Sequence, residues 1–248
     1  MKYLILKIYL FFFKHRLLLL FEIMIMNDLT LIIPAKHEAE SLPTVLDELN
    51  KFNFNININI ILHHSDIKTI QALENQNVNI IYQTNFGYGN ALIEGINLCK
   101  TKYFCIFNAD GSFDPKELKD MYDLAISKKA DFIFGSRYMK NSGSEDDTIV
   151  TYVGNKIFTF LGNFFFSLNI SDILYTYVLG DTKKAKLLNL NKKDFSFCVE
   201  LPIKAKRMKN IIISSPSYER SRIGGQKKVN AFKDGLYILM SLIKLYFT

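Results

Sequence analysis

The chain predicts an α/β fold, a mostly parallel central sheet with helices on both faces. Three observations predict it. Short apolar runs of strand length recur along the sequence. Helical patterns separate them, the arrangement of a parallel sheet covered on both sides. Polar and charged residues follow the runs, on the edge where open α/β sheets bind ligands.

The elements follow in order. Asp28–Pro34 is a buried strand ending in Pro. Ser41 is placed to cap a helix through Val45, Leu46 and Leu49. Asn55–Leu62 alternates polar and apolar residues, then turns fully apolar, a second strand. A helix around Ile67–Asn75 precedes a third strand, Val78–Tyr82. Gly87-Tyr88-Gly89 forms a turn into a helix over Asn90–Lys100, with Leu92, Ile96 and Cys99 on one face. Tyr103–Phe107 is a fourth strand, Pro115 opens a helix through Met121 and Ala125, and Asp131–Phe134 is a fifth strand.

Composition narrows the classes. The 248 residues are 49% hydrophobic and 22% charged, which excludes a disordered chain. Cys99, Cys105 and Cys198 make no CxxC pair, and four His do not fall at zinc spacing, so disulfide and structural-zinc scaffolds are excluded. Charge is uneven: residues 1–180 carry 16 basic and 19 acidic side chains, residues 181–248 carry 15 and 5. A basic last quarter points to an anionic partner, and phosphorylated substrates or an anionic membrane surface fit it. A nucleic-acid partner is not expected, because no recognition motif accompanies the charge.

The ends stand apart from a body at 27–229. Residues 1–26 are strongly apolar but cut by Lys14-His15-Arg16, and read either as a membrane-associated arm or as upstream of a true start at Met24 or Met26. Residues 230–248 read as an apolar amphipathic helix, either core or interfacial.

Chemistry concentrates at the strand ends. Pro34, Lys36 and Glu38 follow the first strand, His63 and His64 the second, and Gly135, Ser136 and Arg137 the fifth. The fourth runs into Asn108-Ala109-Asp110-Gly111. Two oxygen-bearing side chains two residues apart suit one Mg²⁺ or Mn²⁺ ion that bridges a diphosphate. The same stretch also reads as a capping turn, with Asp114 ahead of Pro115.

Taken in order, Ile33–Glu38, Gly87–Ala91, Asn108–Gly111, Gly135–Tyr138, Ser171-Asp172, Phe197–Met208, Ser214–Pro216 and Arg220–Lys228 resemble the family 2 glycosyltransferases of GT-A fold. The dolichol-phosphate mannosyltransferase branch, which glycosylates polyprenyl phosphates, is the most similar. The resemblance implies an inverting, metal-assisted transferase that takes a nucleotide-sugar donor and a polyprenyl-phosphate or other membrane-associated acceptor. It also implies a peripheral location on the cytoplasmic face of a membrane. Pro34, Lys36, Glu38 and His63 would then line the nucleotide pocket, and Ala109 would touch the donor. Asn108 and Asp110 would hold Mg²⁺ or Mn²⁺. Arg137 would face a phosphate, and Arg222 and Lys228 would close over the diphosphate. A phosphate acceptor is already nucleophilic; for a hydroxyl acceptor, Asp110 and Asp172 are both candidate bases.

Three departures stand out. His63-His64 replaces the family's strand-end Asp-Asp, Asn108 replaces the first acid of its DxD, and Ser112 stands where the branch often has Gln. They leave open a catalytically weakened or non-catalytic nucleotide-sugar-binding relative. A sugar-phosphate nucleotidyltransferase fits less well, since Ala35–Ser41 contains no Gly.

Overall fold

A computed structural model describes residues 26–224 and 230–248. Strands β1 (Leu29–Pro34), β2 (Asn57–Leu62), β3 (Asn79–Tyr82), β4 (Tyr103–Ile106) and β5 (Phe132–Ser136) lie where the apolar runs predict them. Helices α1 (Leu42–Lys51), α2 (Ile67–Ala72), α3 (Tyr88–Leu98) and α4 (Lys116–Lys128) connect them. The second half adds β6 (Gly143–Ser144), α5 (Ile149–Phe166), β7 (Val178–Asp181), α6 (Thr182–Leu187), α7 (Phe197–Arg207), β8 (Ile212–Pro216), β9 (Tyr218–Glu219) and α8 (Ala231–Phe247).

The main sheet runs β3-β2-β1-β4-β7-β5-β8, and β7 alone is antiparallel to its neighbours. Its inner strands β2, β1, β4, β7 and β5 are largely buried on both faces, so a period of two sorts each one between two cores. Leu31, Ile33, Cys105 and Phe107 enter one core with α1 and α4; Ile32, Phe104 and Ile106 enter the other with α3, α5, α7 and α8. Each such side chain contributes about 1.5–3 kcal/mol on burial. β6 and β9 pair separately, in parallel, above the rim.

Local differences from the sequence reading have physical causes. Ser41 precedes α1, yet its hydroxyl donates to the Glu38 carboxylate at 2.9 Å instead of capping the helix. Helix α3 starts at Tyr88, because Gly87 at φ 130° turns directly into it. Pro115 occupies the N-cap position of α4, and the Asp114 carboxylate ahead of it accepts from the Lys116 amide at 3.0 Å. Residues 1–25 and Lys228 lie outside the described residues.

Candidate active site

The carboxyl ends of β1, β2, β4 and β5 meet on one rim. After β1, Pro34 is half-buried, Lys36 exposed and Glu38 buried. The turn passes through His37 at φ 57° and is pinned from the neighbouring loop: its amide donates to Asp66 at 2.7 Å. The Glu38 amide donates to Thr69 at 3.0 Å. Burial works to raise the Asp66 pKa, but hydrogen bonds from His37 and Thr69 outweigh it and hold the carboxyl below its ordinary range.

At the end of β2 the His pair is an aromatic group. His63 bonds Ser65 at 2.7 Å through Nδ1, and its ring stacks on Phe86 with centroids 4.0 Å apart. His64 lies 4.1 Å from His63, ring to ring. Phe86 is 66% exposed and offers an open ring face at the place the sequence assigns to the nucleotide. A lone Phe ahead of the Gly87 turn gave no signal of this.

After β4 the chain makes a tight turn. The Asn108 amide donates to the Ser112 hydroxyl, and its carbonyl accepts from the Phe113 amide at 3.3 Å. Ala109 is buried. Asp110 accepts from the Ser112 amide at 3.1 Å and stays partly open. The capping turn and the charged site are thus one object.

The basic segment after β9 is strapped onto this turn. The Arg220 guanidinium donates to Glu48 at 2.7 and 3.0 Å and to the carbonyls of Gly111 and Phe113 at 2.9 and 2.6 Å. The Ile223 amide donates to the Asp110 carbonyl at 2.7 Å. Gly111, at φ 84°, lies so close to Ile223 that a Cβ would come within 2.4 Å of its side chain. Arg222 then sits between Asp110, at 3.5 Å, and Asp146, at 3.2 Å. Arg220, Glu48 and Asp146 complete this arrangement, and the sequence singled out none of them as a site residue.

Arg137 is placed differently from the reading that has it face a phosphate. Its side chain is 9% exposed and grips the fully buried Asp172 at 2.7 and 3.1 Å. It also reaches Glu219 at 3.2 Å and stacks over the Tyr175 ring at 4.7 Å. Burial alone would lower its pKa; Asp172 and Glu219 outweigh it and push it further up. Asp172 is likewise committed to Arg137. The structure therefore brings Pro34, Lys36, Glu38, His63, Asn108, Ala109, Asp110 and Arg222 to one rim. It holds Arg137 and Asp172 as a buried ion pair beside it.

The turn offers a divalent cation the Asn108 carbonyl oxygen and the Asp110 carboxylate. Among the described residues no three His, Cys, Asp or Glu side chains cluster as a metal site. Two oxygens fit Mg²⁺ or Mn²⁺ provided the other positions come from water and phosphate, the usual arrangement at nucleotide sites.

Residues 30–187 match the family model described as Glycosyl transferase family 2. The chain belongs to that family. Among solved structures, this family 2 glycosyltransferase superposes on glucosyl-3-phosphoglycerate synthase from Mycobacterium tuberculosis bound to Mn²⁺, UDP and glucosyl-3-phosphoglycerate. The TM-score is 0.70 at 9% identity, covering 88% of this chain and 79% of that one. The same enzyme with Mg²⁺ and UDP gives 0.65 at 10% identity, covering 88% and 78%. At such identities the likeness establishes the GT-A fold. Among curated proteins, an uncharacterized protein of Methanocaldococcus jannaschii is 25% identical over 228 residues, spanning 88% of this chain and 93% of that one.

Proposed function

We propose that this glycosyltransferase moves a sugar, with inversion, from a nucleoside-diphosphate donor to a phosphate-bearing acceptor, a polyprenyl phosphate at the cytoplasmic face of a membrane. The observation that carries the reading is the Asp110 turn at the end of β4, with Arg222 3.5 Å from its carboxylate. A carboxylate and a guanidinium side by side suit the two halves of a metal–diphosphate group. The structures of glucosyl-3-phosphoglycerate synthase, with UDP, Mn²⁺ and a phosphorylated acceptor, support the class of donor and acceptor.

In this mechanism Asn108 and Asp110 would hold Mg²⁺ or Mn²⁺, and the ion would supply charge neutralisation for a leaving diphosphate. Arg222 exchanges its two carboxylates for the diphosphate, a partner it grips bidentately. Lys228 adds a second cation. Pro34, Lys36, Glu38 and the His63–Phe86 stack receive the nucleoside, the ring faces replacing the family's carboxylate contacts, and Ala109 packs against the donor. An acceptor phosphate oxygen is anionic and needs no base, so positioning and charge stabilisation carry the rate. Arg137 and Asp172 act as positioning residues that tie the end of β5 to the chain entering β7.

A specific observation favours a second reading, a nucleotide-sugar binder without turnover: both polar atoms of Asn108 are engaged within the turn. One experiment tests both. Purified protein is given a panel of nucleotide sugars, Mg²⁺ or Mn²⁺, and either polyprenyl phosphate or phosphoglycerate. Transfer is expected, and Asp110→Ala should lower it by about 100-fold or more with unchanged melting temperature. Normal turnover by that variant removes the assignment of Asp110, and donor binding without transfer by the parent supports the second reading.

A further inference from the structure

Helix α5 is apolar on both sides: Phe158, Leu161 and Phe166 pack against the core. Its buried positions are Asn155, Thr159 and Gly162, while its solvent side carries Val153, Phe160 and Phe164. A helix that is apolar on its solvent side as well as its core side departs from the ordinary surface pattern. Helix α8 lies beside it, pointing the same way: Phe158 packs by Gly235 near one end and Phe165 by Tyr246 near the other. Helix α8 buries Ile238, Leu242 and Leu245 and turns Leu236, Met240 and Ile243 outward. These six outward side chains are between 48% and 67% exposed. Both outward sets advance in helical steps of three or four residues, with the exposed Ile157 standing between Val153 and Phe160, so each is a continuous stripe. A double stripe of this kind exceeds the scattered apolar residues of an ordinary surface and marks an interaction site.

The charge around the stripes identifies the occupant. Helix α5 carries Lys156 and no Asp or Glu, and α8 carries Lys233 and Lys244 against one carboxylate, Asp234, which is turned to the Asn230 amide at 2.7 Å. Where the stripes end, a groove of about 340 Å³ is lined by Lys206, Arg207, Ser167 and Tyr246 together with Phe165 and Phe166. Cations beside apolar and aromatic side chains match the phosphate level and upper acyl region of an anionic bilayer. No helix among the described residues is long and apolar enough to cross a membrane, so contact through this face is lateral.

We infer that the outer faces of α5 and α8 form a docking surface that lies flat on an anionic lipid bilayer, with the Lys206–Arg207 groove receiving a lipid phosphate. The face begins at Ile149, close in sequence to Asp146 beside Arg222, so one end of it adjoins the rim. The inference is read out by lipid contact alone. If it fails, the donor-site reading stands, and if the donor site fails, the docking face stands.

The full chain contains no Trp, so one introduced indole reports its own surroundings. Phe164→Trp places it on the face; Ile126→Trp places it on α4, on the far side of the sheet. With vesicles of phosphatidylcholine and phosphatidylglycerol carrying brominated acyl chains, emission from Phe164→Trp should shift to the blue and be quenched. Emission from Ile126→Trp should do neither. Phe160→Glu combined with Met240→Glu should weaken vesicle binding by about tenfold or more and leave nucleotide binding unchanged. No quenching of Phe164→Trp, or equal quenching at both positions, overturns the inference. So does a stable dimer of the parent chain that the double variant converts to monomer, since a second copy then covers the face.

Discussion

Single residues at this rim work through neighbours distant in sequence. Asp66 shows it most clearly, since its carboxylate holds the first-strand turn by accepting from the His37 amide at 2.7 Å. Its pKa lies below the ordinary 3.8 once it is folded. A depressed carboxyl contributes stability that is present above its unfolded pKa and lost as pH falls through the folded one. Asp66→Asn should therefore destabilise the protein by about 1–3 kcal/mol at neutral pH. The gap in melting temperature should close as pH drops below 3.8. A gap independent of pH in calorimetric scans would contradict this account. At this scale the sequence was legible where backbone order alone fixes position, as for Pro34, Glu38 and Asp110 at strand ends. It was not legible for Arg137, because a strand-end Arg reads the same whether it meets a phosphate or a buried carboxylate. Asp172, 35 residues on, decides that, and only the path of the chain back into β7 brings the two together.

At the scale of elements, the strands and helices of the first half were legible from periodicity and turn residues. The Gly87-Tyr88-Gly89 turn was recognised as a motif, but its cause lies elsewhere. The chain between α6 and α7 crosses directly over it, and a Cβ on Gly89 would stand 2.1 Å from the Lys192 carbonyl oxygen. That crossing segment is itself fixed by the fully buried Glu200, which accepts from the Lys192 amide at 2.8 Å and pairs with Lys204 at 2.7 Å. Gly89→Ala should cost roughly 1–3 kcal/mol by forcing the two segments apart. Urea titration should show the midpoint falling with the slope unchanged. Helix α5 was missed altogether. Its apolar residues are spread around the whole cylinder, so no single stripe announces it. The reversed direction of β7 was missed too, since a four-residue strand carries no sign of its orientation.

Across the whole molecule, charge and apolar surface are arranged by side. Residues 181–248 carry 15 basic and 5 acidic side chains, and part of that excess borders the α5–α8 face. Exposed charges are screened over a Debye length of about 8–10 Å near physiological salt. Raising the salt should thus weaken attachment to anionic vesicles without abolishing it, because the apolar stripes remain. Complete release at high salt, followed by vesicle flotation, would show that charge alone holds the protein there. The uneven charge was visible in the sequence. Its alignment with two apolar stripes was not, because α5 and α8 lie more than sixty residues apart in the chain.

The strap formed by Arg220 carries a consequence for biosynthesis. It bonds Glu48 across a separation of 172 residues and the Asp110 turn across more than a hundred. As the polypeptide leaves the ribosome, β1 to β4 are available early, yet the turn at the end of β4 stays unbraced until Arg220 emerges. The brace on the proposed donor site is therefore completed late in translation, and a nascent chain stalled ahead of that arginine holds most of the sheet but an unbraced Asp110 turn.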